Sequence, residues 1–225
     1  MERVIEPEWL DDLPPDDPKA IGSRAGLRRL NSLMGHVGRM HGTLQNLFQK
    51  TEPKRIIEIG AGDGSFLLKL IHRTGWKNTE IILLDRQPAI SSETKIALGK
   101  IGCKIQFVQA DVFAWLPNAP KADCIMANLF LHHFQPEALQ QLFGLISQAS
   151  DAFAAGEPRR YAAAMAVSRC LGLIGCNEVT RHDAVISVRA GFNGSELSQL
   201  WPKGEWDLSE KRGGLSSHWF VARKK

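Results

Sequence analysis

Apolar positions recur along this chain with two periods, and the change from one to the other marks out its elements. Between Ile21 and Phe48, Leu27, Leu30, Met34, Val37, Met40, Leu44 and Leu47 fall at three- and four-residue steps, the spacing of an amphipathic helix. Glycines at 35, 38 and 42 interrupt the stretch, so it predicts two shorter helices rather than one long one. Thr51-Glu52-Pro53 stops the helical pattern. Beyond it, short apolar runs read as strands at 54–59, 80–85, 104–110, 122–128 and 151–157, and helical patterns fall at 64–74, 88–101, 136–149 and 160–174. Such alternation predicts an α/β fold, a parallel sheet covered by helices on both faces. Residues 204–209 and 216–222, on either side of Gly213-Gly214, read as a final pair of strands.

The first twenty residues break this pattern. They are acidic and proline-rich and read as an extended or partly disordered lead-in. Seven acids against Arg3 and Lys19 give residues 1–19 a balance of −5, so the remainder carries +9 and the whole chain +4. The cations are scattered, and their short clusters at Arg28-Arg29, Arg159-Arg160 and Arg223 to Lys225 make no basic stripe with aromatics between them. Nucleic acid is therefore a disfavoured partner. No apolar run is long enough to suggest a membrane span, and the start lacks the basic-then-apolar order of a secretory signal, so a cytoplasmic location is expected. Cys103, Cys124, Cys170 and Cys176 follow no metal-ligand spacing and read as structural thiols, with no metal site expected. The organisation expected is a lead-in and helical lid over 1–50, then one domain over 51–225.

Candidate chemistry gathers where the first strand ends. The run from Arg55 to Ser65 carries one acid, Glu58, then three glycines at alternate positions, Gly60, Gly62 and Gly64, then a helix start at Ser65. A turn so free of side chains lets backbone N–H groups approach a nucleotide-like ligand. Later acids sharpen the signal. Asp85 ends the second strand and Asp111 the third, and a parallel sheet would bring Glu58, Asp85 and Asp111 to the edge where such folds bind ligands. In this combination the chain resembles the class I S-adenosylmethionine-dependent methyltransferases, closely from Lys54 to Asn128 and in outline elsewhere. The resemblance implies a Rossmann-like seven-stranded sheet, mostly parallel, closed by an antiparallel C-terminal strand pair. A nicotinamide dinucleotide is the rival cofactor, but its GxGxxG fingerprint calls for glycine where Ser65 stands.

The resemblance also distributes roles. Gly60, Ala61, Gly62 and Gly64 would wrap the ribose and amino-acid portion of S-adenosylmethionine. Asp85 would take the ribose hydroxyls, with Arg86 along the adenine; Asp111 and Val112 would meet the adenine, and Asn128 and Leu129 the methionine end. Glu58 would hold the turn or, indirectly, the ammonium group. Taken singly, Asp85 and Asp111 also read as helix caps.

On the acceptor side, the stretch from Ala127 to Phe134 resembles quinone-biosynthesis-type methyltransferases and offers His132 and His133 as bases. A phenol with a pKa of about 10 is neutral at pH 7, and a histidine near about 6.5 is suited to remove its proton. A structural role for either histidine stays open. His182, Asp183 and Arg189 lie in a segment resembling the substrate side of the same group, with Asp183 alternatively the N-cap of a short helix. His36 and His41 read as surface histidines or as parts of the lid. The expected reaction is methyl transfer to a small, fairly apolar acceptor in secondary metabolism, a phenolic or enolic oxygen being favoured. An RNA or protein methyltransferase and an inactive cofactor-binding scaffold are the alternatives.

Overall fold

The computed structural model of the chain describes residues 2–225 apart from 88, 163, 164, 166, 167, 169 and 170. The strands are β1 (Arg55–Ile59), β2 (Glu80–Asp85), β3 (Lys104–Gln109), β4 (Cys124–Asn128), β5 (Ala152–Pro158), β6 (Trp206–Arg212) and β7 (Ser217–Lys224). They form one sheet in the order β3-β2-β1-β4-β5-β7-β6. The first five pair in parallel, and β7 runs antiparallel to both β5 and β6. Every expected strand is present, with ends displaced by at most three residues. β1, β2 and β4 are buried on both faces, which is why their sequences are near-continuous apolar runs.

Helices cover both faces. One side packs α7 (Pro136–Ala149) against an aromatic core of Phe143, Phe153, Trp201 and Phe220. The other packs α3 (His36–Phe48) and α4 (Ser65–Thr74) through Met40, Leu44, Leu67, Leu70 and Ile71. The break expected in the N-terminal helical stretch is at Gly35, where φ is 67° and α2 (Pro18–Met34) ends. Of the helix expected over 160–174, residues 163, 164, 166, 167, 169 and 170 lie outside those described, Cys170 among them, and Leu171–Ile174 is a 3-10 helix. A helix over Glu178–Ala190, hereafter α8, begins before the short helix that an Asp183 N-cap would start; Asn177 caps it by accepting the Thr180 N–H. Among the described residues, no helix is long and apolar enough to cross a membrane.

Two expectations are corrected here. His36 is not a surface histidine: it is fully buried. Burial lowers its pKa and keeps it neutral, so Nδ1–H donates to Asn128 Oδ1 at 2.6 Å while Nε2 accepts from the Ser217 hydroxyl at 2.7 Å. It lies in one stripe with Met40 and Leu44, at steps of four, so the stripe itself carried the signal.

The acidic lead-in is likewise not disordered. Arg3 donates to the carbonyls of Ala190 (2.7 Å), His132 (3.2 Å) and Phe134 (2.9 Å), and Glu6 pairs with Arg189 at 2.9 Å. The N–H groups of Trp9 and Leu10, which start the short helix Trp9–Asp12, donate to the Asp183 carboxylate at 2.9 and 3.0 Å. Trp9 stacks on His182 with ring centres 3.6 Å apart. Residues 3–12 thus form a strap across α8.

Its anchor is His132, buried between Glu157 (2.8 Å) and Glu8 (3.3 Å). Burial opposes a charge on this ring, but the bonds to Glu157 and Glu8 outweigh it and push the pKa up to about 9. The Ser187 hydroxyl also donates to Glu8.

His36→Ala should cost about 1–3 kcal/mol of stability by leaving Asn128 and Ser217 unpaired, measured by denaturant unfolding. For His132 the folded pKa of about 9 lies above the ordinary 6.5, so its contribution is complete below pH 6.5 and lost as pH rises through about 9. Thermal melts of wild type and His132→Gln across that interval should therefore converge at alkaline pH; a constant gap in Tm would mean that His132 is uncharged.

Candidate functional site

A cavity of about 560 Å³ opens at the carboxyl ends of β1, β2 and β4. This is where the strand order reverses, the crevice in which open parallel sheets bind ligands. Its wall includes Glu58, Gly60, Ala61, Gly62, Asp85, Arg86, Asp111, Val112, Asn128, Leu129, His132 and His133. Of the expected site residues, Gly64 and His182 are not in that wall. Strap residues Ile5 to Glu8, Leu10 and Asp11 and the α2 side chains Leu27, Leu30 and Met34 close the opposite side.

The glycine turn needs its glycines for separate reasons. Gly60, Gly62 and Gly64 all have positive φ, at 68°, 53° and 73°. A Cβ on Gly60 would lie 2.2 Å from the Phe130 ring, whereas one on Gly62 would meet nothing within 4 Å and would project into free space. Gly64 begins α4 and supports the turn from behind, its N–H donating to the Ala61 carbonyl at 3.0 Å.

Asp85 orders this turn directly. Its Oδ2 accepts the Gly62 N–H at 2.7 Å and its Oδ1 the Gln87 N–H at 2.8 Å. Asp111 caps the short helix Val112–Trp115 through Phe113 N–H at 2.8 Å, so it serves as a cap while standing in the cavity wall. Arg86 is exposed at the rim. Asn128 is held from two sides, by His36 and by its Nδ2–H donating to Asn31 Oδ1 at 3.1 Å. Leu129 follows with a φ of 54°, its N–H bonded to the Gly156 carbonyl at 2.9 Å.

Glu58 differs from the other acids. It is buried, and its Oε2 finds no hydrogen-bond partner among the described residues. Burial, with Asp63 and Asp85 adding negative charge nearby, raises its pKa well above the usual carboxyl range. Arg28 pairs with Asp63 over the turn.

The acceptor-side candidates separate. His132 and His133 both face the cavity. His133 Nδ1 lies 3.6 Å from Asp11 Oδ2, and burial together with the charge of His132 lowers its pKa. Ligand-capable atoms of Glu8, His132 and His133 come within 4.8 Å of one another, but the bond between Glu8 and His132 already occupies two of them. His182 is held under Trp9 and bonds Asp183 at 3.0 Å, and Arg189 pairs with Glu6, so both serve the strap. Asp183 is inside α8 and is not its N-cap; its carboxylate instead caps the strap helix Trp9–Asp12.

Sequence reading missed Glu8, Asp11, Arg28, Asn31 and Glu157. For Glu157 a signal existed: it was the last residue of the expected fifth strand, the position that singled out Asp85 in the second.

Residues 56–150 match a family model described as a methyltransferase domain. Among curated proteins, none matches the chain in sequence. Several solved structures share its fold. The plantazolicin methyltransferase BpumL, in complex with a triazolic desmethylPZN analog and SAH, superposes with a TM-score of 0.66 at 16% identity, covering 93% of this chain and 92% of that one. An O-methyltransferase family protein from Burkholderia thailandensis gives 0.60 at 13% identity, covering 94% and 63%. Magnesium protoporphyrin IX methyltransferase (ChlM) from Synechocystis PCC 6803, with bound SAH, gives 0.59 at 11% identity, covering 93% and 88%. The family match spans the glycine turn and the acids at the ends of β2 and β3. Residues 56–150 thus match a methyltransferase domain, and the whole sheet, completed by β6 and β7, has the fold of these solved methyltransferases.

Proposed function

We propose that the chain transfers a methyl group from S-adenosylmethionine to a small, fairly apolar acceptor, with a phenolic or enolic oxygen as the favoured nucleophile. It would do so in the cytoplasm, within secondary metabolism. The observation that carries this reading is the two-sided wall of the cavity. One side is the glycine turn with its acids; the other sets the apolar side chains Leu10, Leu27, Leu30, Met34 and Phe134 beside the strap acids, His132 and His133. A volume of about 560 Å³ is ordinary for a small-molecule site. The strap residues in the wall favour a small acceptor over an RNA or a folded protein, which would need an open rim.

The residues present fit the cofactor. The unpartnered Glu58 Oε2 is suited to the ammonium group, and a cation there would return the carboxyl to its ionised form. Free space beside Gly62 gives the amino-acid portion room against the backbone. Asp85 keeps lone pairs for the ribose hydroxyls beyond those used by Gly62 and Gln87. Asp111 and Val112 would take the adenine, with Arg86 at the rim, and Asn128 and Leu129 the methionine end.

Bound S-adenosylmethionine supplies a methyl group on a positively charged sulfur. The protein's part is then alignment and proton removal, and alignment alone can be worth about 7–11 kcal/mol of barrier. His133 is the better base, because its lowered pKa leaves it neutral and able to accept a proton at neutral pH. His132 is the poorer one, since its two carboxylate partners hold it protonated. It acts as a positioning residue, through Glu8 and the strap. His182 is withdrawn as a base by its place outside the cavity wall.

Calorimetry should show micromolar binding of S-adenosylhomocysteine and none of NADH; the reverse would overturn the cofactor. Asp85→Ala should weaken that binding by about 1.5–3 kcal/mol, and unchanged affinity would remove Asp85 from the ribose. In assays with labelled cofactor, a phenol panel should accept methyl groups while tRNA and protein extract do not. His133→Ala should lose turnover with cofactor affinity retained, and a wild-type rate would eliminate it as the base.

A further inference from the structure

A second cleft, of about 470 Å³, lies beside the carboxyl end of β5, one residue past Pro158 of the first cavity's wall. Its lining is basic. Arg159, Lys211 and Arg212 contribute to it, and none of the three pairs with a carboxylate among the described residues. The one acid in the lining, Glu210, is already committed. Its oxygens accept the N–H groups of Leu197 (3.0 Å) and Ser198 (2.7 Å) and the His218 Nε2–H (2.7 Å). Arg160, also in the lining, pairs with Glu196.

One lining residue carries a buried donor without a partner among the described residues, Arg159 Nε. A buried donor left unpaired costs free energy that a ligand oxygen can recover, and an arginine nitrogen can only donate. Arg212 and His218 stand directly opposite each other on β6 and β7, so their side chains share one face of the sheet. Arg159 is preset. Its N–H is tied to the Ser216 carbonyl at 2.8 Å, its chain bridges to Phe192, and its guanidinium lies 4.7 Å over the Tyr161 ring. Uncompensated cations, one orphaned arginine donor and a stacked guanidinium together make an acceptor-seeking site.

We infer that this cleft binds an oxyanion, a phosphate or carboxylate group, with Arg159 and Arg212 as its principal contacts. The ligand class follows from the donors, and the inference does not rest on methyl transfer. The anion is either a free ion or the charged end of an organic molecule, and the chemistry of recognition is the same for both.

The test is titration of the full chain with inorganic phosphate, phenyl phosphate and benzoate, followed by calorimetry and by phosphorus NMR. Saturable binding of at least one is expected, weakened tenfold or more in Arg159→Gln and in Arg212→Gln and falling with added salt. Tighter binding of phenyl phosphate than of phosphate would assign the site to an organic anion; equal binding would assign it to the free ion. Thermal melts of the same variants report folding separately, and Arg212 is exposed, so its replacement should leave the fold intact. No saturable binding to the wild type, or affinities unchanged in both variants, would overturn the inference, whatever the fate of the methyltransferase reading.

Discussion

One buried carboxylate holds the working end of this molecule together. Glu157, at the end of β5, accepts the N–H groups of Phe130, Leu131 and His132 at 3.0, 2.9 and 3.3 Å and the His132 ring at 2.8 Å. Burial alone would drive such a group to its neutral form, but these bonds keep its pKa below the ordinary value. The loop after β4 is fixed by this arrangement. Leu129 can keep a positive φ because the residues after it have nowhere else to go. Phe130 in turn presses its ring into the space that a side chain on Gly60 would need. The glycine turn of β1 and the loop of β4 therefore interlock across the strand-order reversal.

The same carboxylate reaches the N-terminus in one further step. His132 passes the charge pattern on to Glu8, whose own carboxyl is held down to about 2; burial opposes this and the His132 bond more than offsets it. The result is an acid–base–acid series from the strap to the sheet, Glu8 to His132 to Glu157, whose first link joins residues 124 positions apart. Paired charges in a dry interior are weak as a source of net stability but severe on any rearrangement that separates them. The strap is consequently set in one register.

What could be read from the sequence followed the range of the interaction. Strands buried on both faces announce themselves as apolar runs, and the glycine turn as a local backbone requirement, so β1, β2, β4 and the acids Glu58 and Asp85 were legible. The strap was not, because composition reports the charge of Glu6 and Glu8 but not their partners, which lie more than a hundred residues away. His36 was misread for a different reason: a polar residue in an apolar stripe looks like an error of pattern until its two bonding partners are in view. The full extent of α8 escaped because its buried face includes Thr180 and Asp183, polar groups satisfied by α2 and by the strap.

The strap also imposes an order on the making of the protein. Its residues are translated before their partners, from His132 to Ala190, which leave the ribosome more than a hundred residues later. Chains emerge at about 5–20 residues per second, so the segment waits for several seconds with its acids solvated before anything can receive it. Its acidity and its prolines suit that interval, since they keep it from collapsing onto the half-built sheet. The strap can close its side of the cavity only after α8 has been made.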